Sequence, residues 1–306
     1  MTPAPSQRIL VLGGSGFVGR HLCAWLSQQG HRITVPTRRW PARSVQMLPG
    51  VNVVQADVHD PAQLRALVSD HDAVVHLVAI LHGDETHFEQ VHVRLPQQLV
   101  HACTATGVRR LVHISALGAD VQGPSMYQRS KGRGEAVLHA AAEQGALDLT
   151  VLQPSVIFGR DDQFINLFAR LQRFFPFMPL AGADTRFQPV WVDDVAQAIA
   201  YALVHRHTIG GTYELCGPQV LRLRELVALA GRHAGCERPV LPLPHAVGWV
   251  QALMMEWLPG PTLMSRDNLA SMQVDNVATG RHPGLEALGV RAPRALSAVF
   301  APQWHR

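Results

Sequence analysis

The sequence predicts an α/β protein: a doubly wound parallel sheet with a smaller, mostly helical C-terminal lobe. Three observations carry that prediction. Short β-branched runs alternate with helix-length amphipathic segments from Arg8 to about Gly159, a glycine-spaced turn follows the first run, and beyond Gly159 the alternation gives way to aromatic and proline-punctuated stretches. Parallel strands need crossover helices and bury both faces, so this alternation builds a sheet covered on both sides.

The elements follow in order. RILVLG is the first strand, and a helix opens at about Phe17. HRITVP and VNVVQAD are the second and third strands, the latter followed by a helix through PAQLRALV. AVVHLVAI is the fourth, a long helix covers about 88 to 106, and RRLVHISA is the fifth. A helix then carries YQRSKGRGEAVLHAAAE, and LDLTVLQPSVIFG is the sixth strand. FQPVWVDDVAQAIAYALV and GTYELCG read as one more strand, helix and strand returning to the sheet. The expected division is 1–159 for the nucleotide-binding domain, with 189–217 returning to it, and 160–306 for the smaller substrate or partner lobe. That lobe sits over the sheet's carboxyl edge, where ligands bind in such folds.

Composition narrows the function classes. The 306 residues are 47% hydrophobic, ample for a large core in one or two closely joined domains. The net charge of +4 is mild and spread out, with no Lys/Arg run, which argues against a nucleic-acid partner. Cys23, Cys103, Cys216 and Cys236 form no CxxC pair, so neither a disulfide framework nor a metal site is indicated, and a reducing cytoplasm fits. The N-terminus has no charged n-region leading into an apolar h-region and reads as a mature start. No stretch reaches the roughly 18 uninterrupted apolar residues of a membrane span. AVGWVQALMMEWL is broken by Gln251 and Glu256, so a soluble or peripheral protein is expected.

The first strand ends in GGSGFVGRHL, with Gly13, Gly16 and Gly19 in G-x-x-G-x-x-G spacing at a strand-to-helix turn. Gly13 permits the turn, Gly16 admits a pyrophosphate to the backbone, Gly19 lets helix pack on strand, and the helix N-terminus offers N–H groups to the anion. Dinucleotide binding follows from that context. An NAD site carries an acid about 20 residues on, to hold the ribose 2′-hydroxyl, whereas a 2′-phosphate needs arginine. No acid precedes Asp57, and the second strand runs out in VPTRR, so Arg38 and Arg39 stand where the acid would be and NADP(H) is expected over NAD(H). Asp57 is a candidate for the adenine edge or a cap for the helix that begins at Pro61.

Lys131 is the only lysine among 27 Lys and Arg residues, and it lies four residues after Tyr127, one of three tyrosines. Residues at i and i+4 share a helix face. An ammonium beside a phenol favours the phenolate, making the Tyr a usable acid or base, while the same ammonium can hold a ribose. Arginine, with its fork geometry and permanent charge, substitutes poorly there.

The set GGSGFVG, VVHLVAI, HISALGAD, YQRSK and QPSVIFGRDDQF, in this order, resembles the extended and atypical short-chain dehydrogenase/reductase superfamily. More narrowly it is similar to the branch containing the nucleotide-binding accessory subunit of respiratory complex I and its bacterial epimerase/dehydratase-like relatives. The resemblance implies a Rossmann fold of the extended type. It also implies Tyr127 and Lys131 as catalytic residues, and Ser115 as the hydroxyl that anchors a substrate oxygen. The slot for that hydroxyl falls on Ser115 or on Ala116, and a missing donor there can cost around a hundredfold. The candidate cofactor contacts are Gly13, Ser15, Gly16, Phe17, Val18 and Gly19 at the first turn, then Arg38, Arg39, Asp57 and Val58. Val78, Ala79, Lys131, Pro154 and Val156 complete them. Two functions are implied: hydride transfer between NADP(H) and a small carbonyl or carbinol substrate, or a non-catalytic accessory or assembly protein of a complex I-like or quinone-linked complex. The second places it peripherally at the inner membrane with a membrane-complex partner.

Among the remaining features, His82, His87 and His92 read as solvated or capping residues, with His82 and His87 candidates for substrate contact. Asp193 and Asp194 read as helix caps. Phe164, Phe168 and Leu171 follow helical spacing, so the aromatic cluster that continues through Phe174, Phe175 and Phe177 is either a lid on the core or a docking surface. VGWVQALMMEWL poses the same choice.

Overall fold

Period-two burial in the strands explains the three-layer architecture. In β1 (Arg8–Leu12), Ile9 and Val11 enter one apolar cluster while Leu10 and Leu12 enter another on the opposite face. The computed structural model describes residues 6–38, 42–257 and 264–299. β2 (Arg32–Thr37), β3 (Val51–Gln55), β4 (Ala73–His76), β5 (Arg110–Ile114), β6 (Asp148–Pro154) and a last strand, Thr212–Leu215, join β1 in one sheet. Its order is β3-β2-β1-β4-β5-β6 followed by Thr212–Leu215, and every pairing is parallel.

The helices in chain order are α1 (Phe17–Gln28), α2 (Arg43–Gln46), α3 (Pro61–Ser69), α4 (Glu85–Glu89), α5 (Leu95–Thr106) and α6 (Met126–Glu143). They continue with α7 (Ile165–Phe174), α8 (Val192–Val204), α9 (Leu223–His233), α10 (His245–Glu256) and α11 (Arg266–Ser271). α1 and α8 cover one face through Leu22, Leu26, Val195 and Ile199; α3, α5 and α6 cover the other through Leu64, Leu99 and Leu138. A third cluster, with Phe158, Ile165, Trp191, Leu223 and Leu226, forms the core of the smaller lobe. Phe164, Phe168 and Leu171 pack against it, as their spacing predicts, whereas Phe174, Phe175 and Phe177 are exposed.

Three expectations change. The strand before α8, Val190–Trp191, does not join the main sheet but pairs with Ile157–Phe158, because the chain has already left the carboxyl edge after β6. Asp193 and Asp194 do not cap α8: Asp193 accepts from His21 Nδ1 at 2.6 Å and Trp191 Nε1 at 3.0 Å, and Asp194 accepts the Arg294 amide at 2.8 Å. Tertiary donors outcompete the helix's own amides.

The long helix near 88–106 is broken by a π-helical turn at Gln90–Arg94. Pro96 has no N–H to give the His92 carbonyl four residues back, so the α-ladder fails at that point.

Candidate functional site

Every predicted cofactor position that the structure describes lies at or just beyond the carboxyl end of a strand, except Lys131 and the α1 residues facing that edge. Gly13 has φ +86°, a region that disfavours any residue with a Cβ, and a Cβ there would also stand 3.2 Å from the Leu77 backbone. That closeness ties the first turn to the β4 loop carrying Val78 and Ala79, at the switch point between β1 and β4. Gly16 is the N-cap of α1 and supplies no side-chain cap, so the first-turn amides at Phe17 and Val18 face the edge without a side-chain acceptor. A Cβ on Gly19 would overlap the Gly13 and Gly14 backbone. The cradle therefore fits a pyrophosphate.

Arg38 is exposed at the end of β2, and Arg39 lies outside the described residues. The α3 cap is Asp60, which accepts from the Ala62 and Gln63 amides at 2.8 and 3.2 Å. Asp57 instead accepts the His59 amide at 3.0 Å and remains at the edge beside Val58. Pro154 ends β6, and the Val156 amide is held by Asn276 Oδ1 at 3.1 Å.

Tyr127 and Lys131 share one face of α6, which Ser125 caps by accepting the Gln128 amide. Lys131 is 2% exposed and donates to the Ile114 carbonyl at 3.0 Å. Burial draws its ammonium down to about 8, opposed by the Glu135 carboxylate one turn on. Burial also pushes the Tyr127 phenol up to about 12. Lys131 therefore does not bring the phenol toward neutrality: desolvation, which disfavours the phenolate, sets the direction.

Ser115 directly follows β5 and lies under a different turn of this helix. Along β5, Leu111, His113 and Ser115 alternate toward the α6 face, and the Ser115 hydroxyl is buried beside the Glu135 carboxyl, turned toward it short of a well-formed hydrogen bond. Glu135 accepts from Gln153 Nε2 at 3.0 Å. Eight residues separate Glu135 from Tyr127, about 12 Å along a helix. The structure thus brings Tyr127 and Lys131 together and gives Ser115 to Glu135.

Four histidine and acid roles escape pattern reading. His92 is buried with its ring edge-on to Tyr127 at 5.5 Å. It accepts the Ile80 amide at Nε2 (3.1 Å) and pairs through Nδ1 with Ser130 Oγ (2.8 Å), which donates to the Tyr127 carbonyl (2.9 Å). His92 is therefore neither solvated nor a cap; it clamps the β4 loop to the Tyr127 turn. His76 and His113, on adjacent strands, stack at 4.9 Å with Nδ1 atoms 3.0 Å apart. Asp267 of α11 accepts the Met126 and Tyr127 amides at 2.6 and 3.1 Å, so the small lobe holds the first turn of α6. His87 is exposed and pairs with Asp84, and His82 is exposed on the same loop. Only Asp267, in the first turn of a capped helix, had a local signal, and that signal pointed to its own helix. No group of His, Cys, Asp or Glu that could hold a metal exists among the described residues.

This edge, a glycine cradle at a switch point with a Tyr/Lys helix beside it, defines a nicotinamide dinucleotide-binding Rossmann protein. The chain belongs to the NAD dependent epimerase/dehydratase family, whose model matches residues 9–216. It is 30% identical over 308 residues to NADH dehydrogenase (ubiquinone) 1 alpha subcomplex subunit 9, mitochondrial, of Rattus norvegicus, covering 97% of this chain and 80% of that one. It is 29% identical over 190 residues to the ceramide reductase of Caulobacter vibrioides, covering 61% of this chain and 58% of the relative. In fold it resembles the UDP-glucose 4-epimerase of Thermus thermophilus, whose structure is a complex with NAD, with a TM-score of 0.66 at 21% identity over 87% of this chain and 99% of that one.

Proposed function

We propose that the protein holds NADP(H) along its carboxyl edge as an accessory or assembly component of a complex I-like or quinone-linked membrane complex, without turning the nucleotide over. The observation that carries this reading is Ser115. Its hydroxyl lies under α6 beside Glu135, two turns along from Tyr127, and the next residue along the chain, Ala116, has only a methyl group to offer. The long similarity to a complex I subunit supports the same assignment. Gly13, Gly16 and the first turn of α1 hold the pyrophosphate, Arg38 faces the 2′-phosphate, and Lys131 holds the ribose. A ligand bound only to the native state stabilises it by several kcal/mol at saturation, so a nucleotide can serve the fold alone.

NADPH is expected to bind about tenfold or more tightly than NADH, and Arg38→Ala to erase most of that difference, since a charge-assisted phosphate contact contributes about 1.5–3 kcal/mol. Calorimetric titration of both nucleotides checks it. Equal affinities in the parent protein would refute the 2′-phosphate assignment.

The complete Tyr127/Lys131 pair favours a second reading, a reductase of a carbonyl substrate with Tyr127 as proton donor. When bound, the nicotinamide supplies the hydride acceptor or donor. Protein loaded with NADPH deuterated on its transferable face, incubated with a small-molecule extract, separates the two. No deuterated metabolite is expected; label transferred by the parent protein and not by Tyr127→Phe would replace the accessory reading with the reductase.

A further inference from the structure

The smaller lobe presents an apolar face that its own core does not use. α10 runs HAVGWVQALMME with Glu256 as its one carboxylate and no lysine or arginine. Its inner side is made of small residues, Gly248 and Ala252, both buried against the lobe. Its outer side carries Val247, Val250 and Met254, followed by Trp257, at helical spacing, all exposed and reaching 68% at Met254 and 84% at Trp257. An exposed apolar helix face of this extent is an interaction surface.

The face is continuous with the exposed aromatics after α7. Gly248 lies against Ala181, and Gln251 Nε2 reaches the Pro179 carbonyl at 3.5 Å, so α10 runs back along the strand Met178–Ala181 toward its start. From Gly248 to Trp257 is about 13.5 Å of helix, and from Ala181 back to Phe177 about 13 Å of strand. α10 and the strand thus lead Trp257 and Phe177 toward the same end of the lobe, where α7 also ends in Phe174, which is 82% exposed, with Phe175 after it.

Unpaired charge at this end is positive. Arg170 and Phe174 lie one turn apart on α7, with Arg173 adjacent, and both arginines are exposed and form no ion pair among the described residues. Arg238 precedes Val240, which pairs with Met178, and among the described residues its guanidinium meets the Gln172 carbonyl and no acid. The nearby acids are engaged: Glu237 and Glu256 pair with Arg232 and Arg266, and Glu225 accepts the Arg222 amide. The Arg266 guanidinium also lies over the Trp249 ring at 5.4 Å.

We infer that this face docks on a bilayer carrying anionic lipid, with Trp257, Met254 and the Phe174–Phe177 aromatics at the headgroup boundary and Arg170, Arg173 and Arg238 on the phosphates. Aromatic and methionine side chains rimmed by unpaired arginines match the amphipathic chemistry of that boundary. No helix of the described residues is long and apolar enough to cross a membrane, so the contact is interfacial. The inference deepens the proposed attachment to a membrane complex and rests on that reading only for its location.

The test is sedimentation of the full-length protein with vesicles of phosphatidylcholine alone or mixed with phosphatidylglycerol. Binding is expected to the mixed vesicles only and to weaken as salt is raised. Arg170→Glu with Arg173→Glu is expected to weaken it about tenfold or more, and Met254→Glu with Trp257→Glu to abolish it, with NADPH affinity unchanged in both. Failure to bind mixed vesicles, or equal binding by either double variant, overturns the inference. So does a dimer in equilibrium sedimentation that Met254→Glu dissociates, which would assign the face to a second copy. Vesicle binding by a protein that fails to bind NADPH would sink the nucleotide reading and leave this one standing.

Discussion

Acidification from pH 7 to pH 5 is expected to remove several kcal/mol of stability, a large share of a typical domain's 5–15 kcal/mol. Burial, followed by the Lys131 charge, draws His76 and His92 down to about 3 and His113 well below its ordinary value. Their folded pKa values are depressed, so below about 6.5 the unfolded chain binds protons that the folded one refuses, and stability falls as pH falls. His76 and His92 each lose about 2 kcal/mol by pH 5 at about 1.4 kcal/mol per unit, and His113 adds to the loss in the same direction.

The geometry gives the same sign. The Nδ1 atoms of His76 and His113 face each other at 3.0 Å and cannot both carry a proton, and His92 accepts the Ile80 amide with the nitrogen that would have to be protonated. Burial raises the carboxyls of Glu135, Asp162 and Asp194, which offset part of the loss by taking up protons in the folded state. Denaturant melts at pH 7, 6 and 5 measure it; a flat profile would show that these rings are solvated.

Gly134→Ala is expected to cost about 3 kcal/mol or more and to lower the melting temperature by about 5 °C or more. Pro96 leaves the His92 carbonyl without its helical donor, and α6 approaches that oxygen so closely that a Cβ at Gly134 would overlap it. The obstacle is backbone on both sides, so no rotamer relieves it. α6 carries Tyr127 and Lys131 and the π turn carries His92, so the same methyl is expected to weaken NADPH binding. The neighbouring Arg133→Ala, which breaks only a partly exposed ion pair with Glu89 at 3.0 Å, should cost less than about 1 kcal/mol. Comparable losses in both variants would mean that α6 yields without strain.

The cofactor cradle was the most legible part of the site because its requirements are local. A left-handed turn at Gly13 and helix-on-strand packing at Gly19 demand glycine at fixed spacing, and Tyr127 and Lys131 need only one helix face. His92, His76, His113, Glu135 and Asp267 act through partners 12 to 141 residues away along the chain. No spacing rule reaches them. Asp193 and Asp194 show the converse error: a sound local rule predicted caps, and donors from α1 and the C-terminal segment took the carboxylates instead.

By itself, then, the sequence determined the parallel sheet, the dinucleotide turn and the Tyr/Lys pair, because alternation, glycine conformation and helical periodicity are properties of neighbouring residues. Only the tertiary structure decided that Ser115 faces Glu135, that Lys131 and three histidines share one buried polar pocket, and that α10 keeps an apolar face outward. Those outcomes depend on which surfaces meet when distant segments pack, and desolvation at those meetings sets which groups keep their charge.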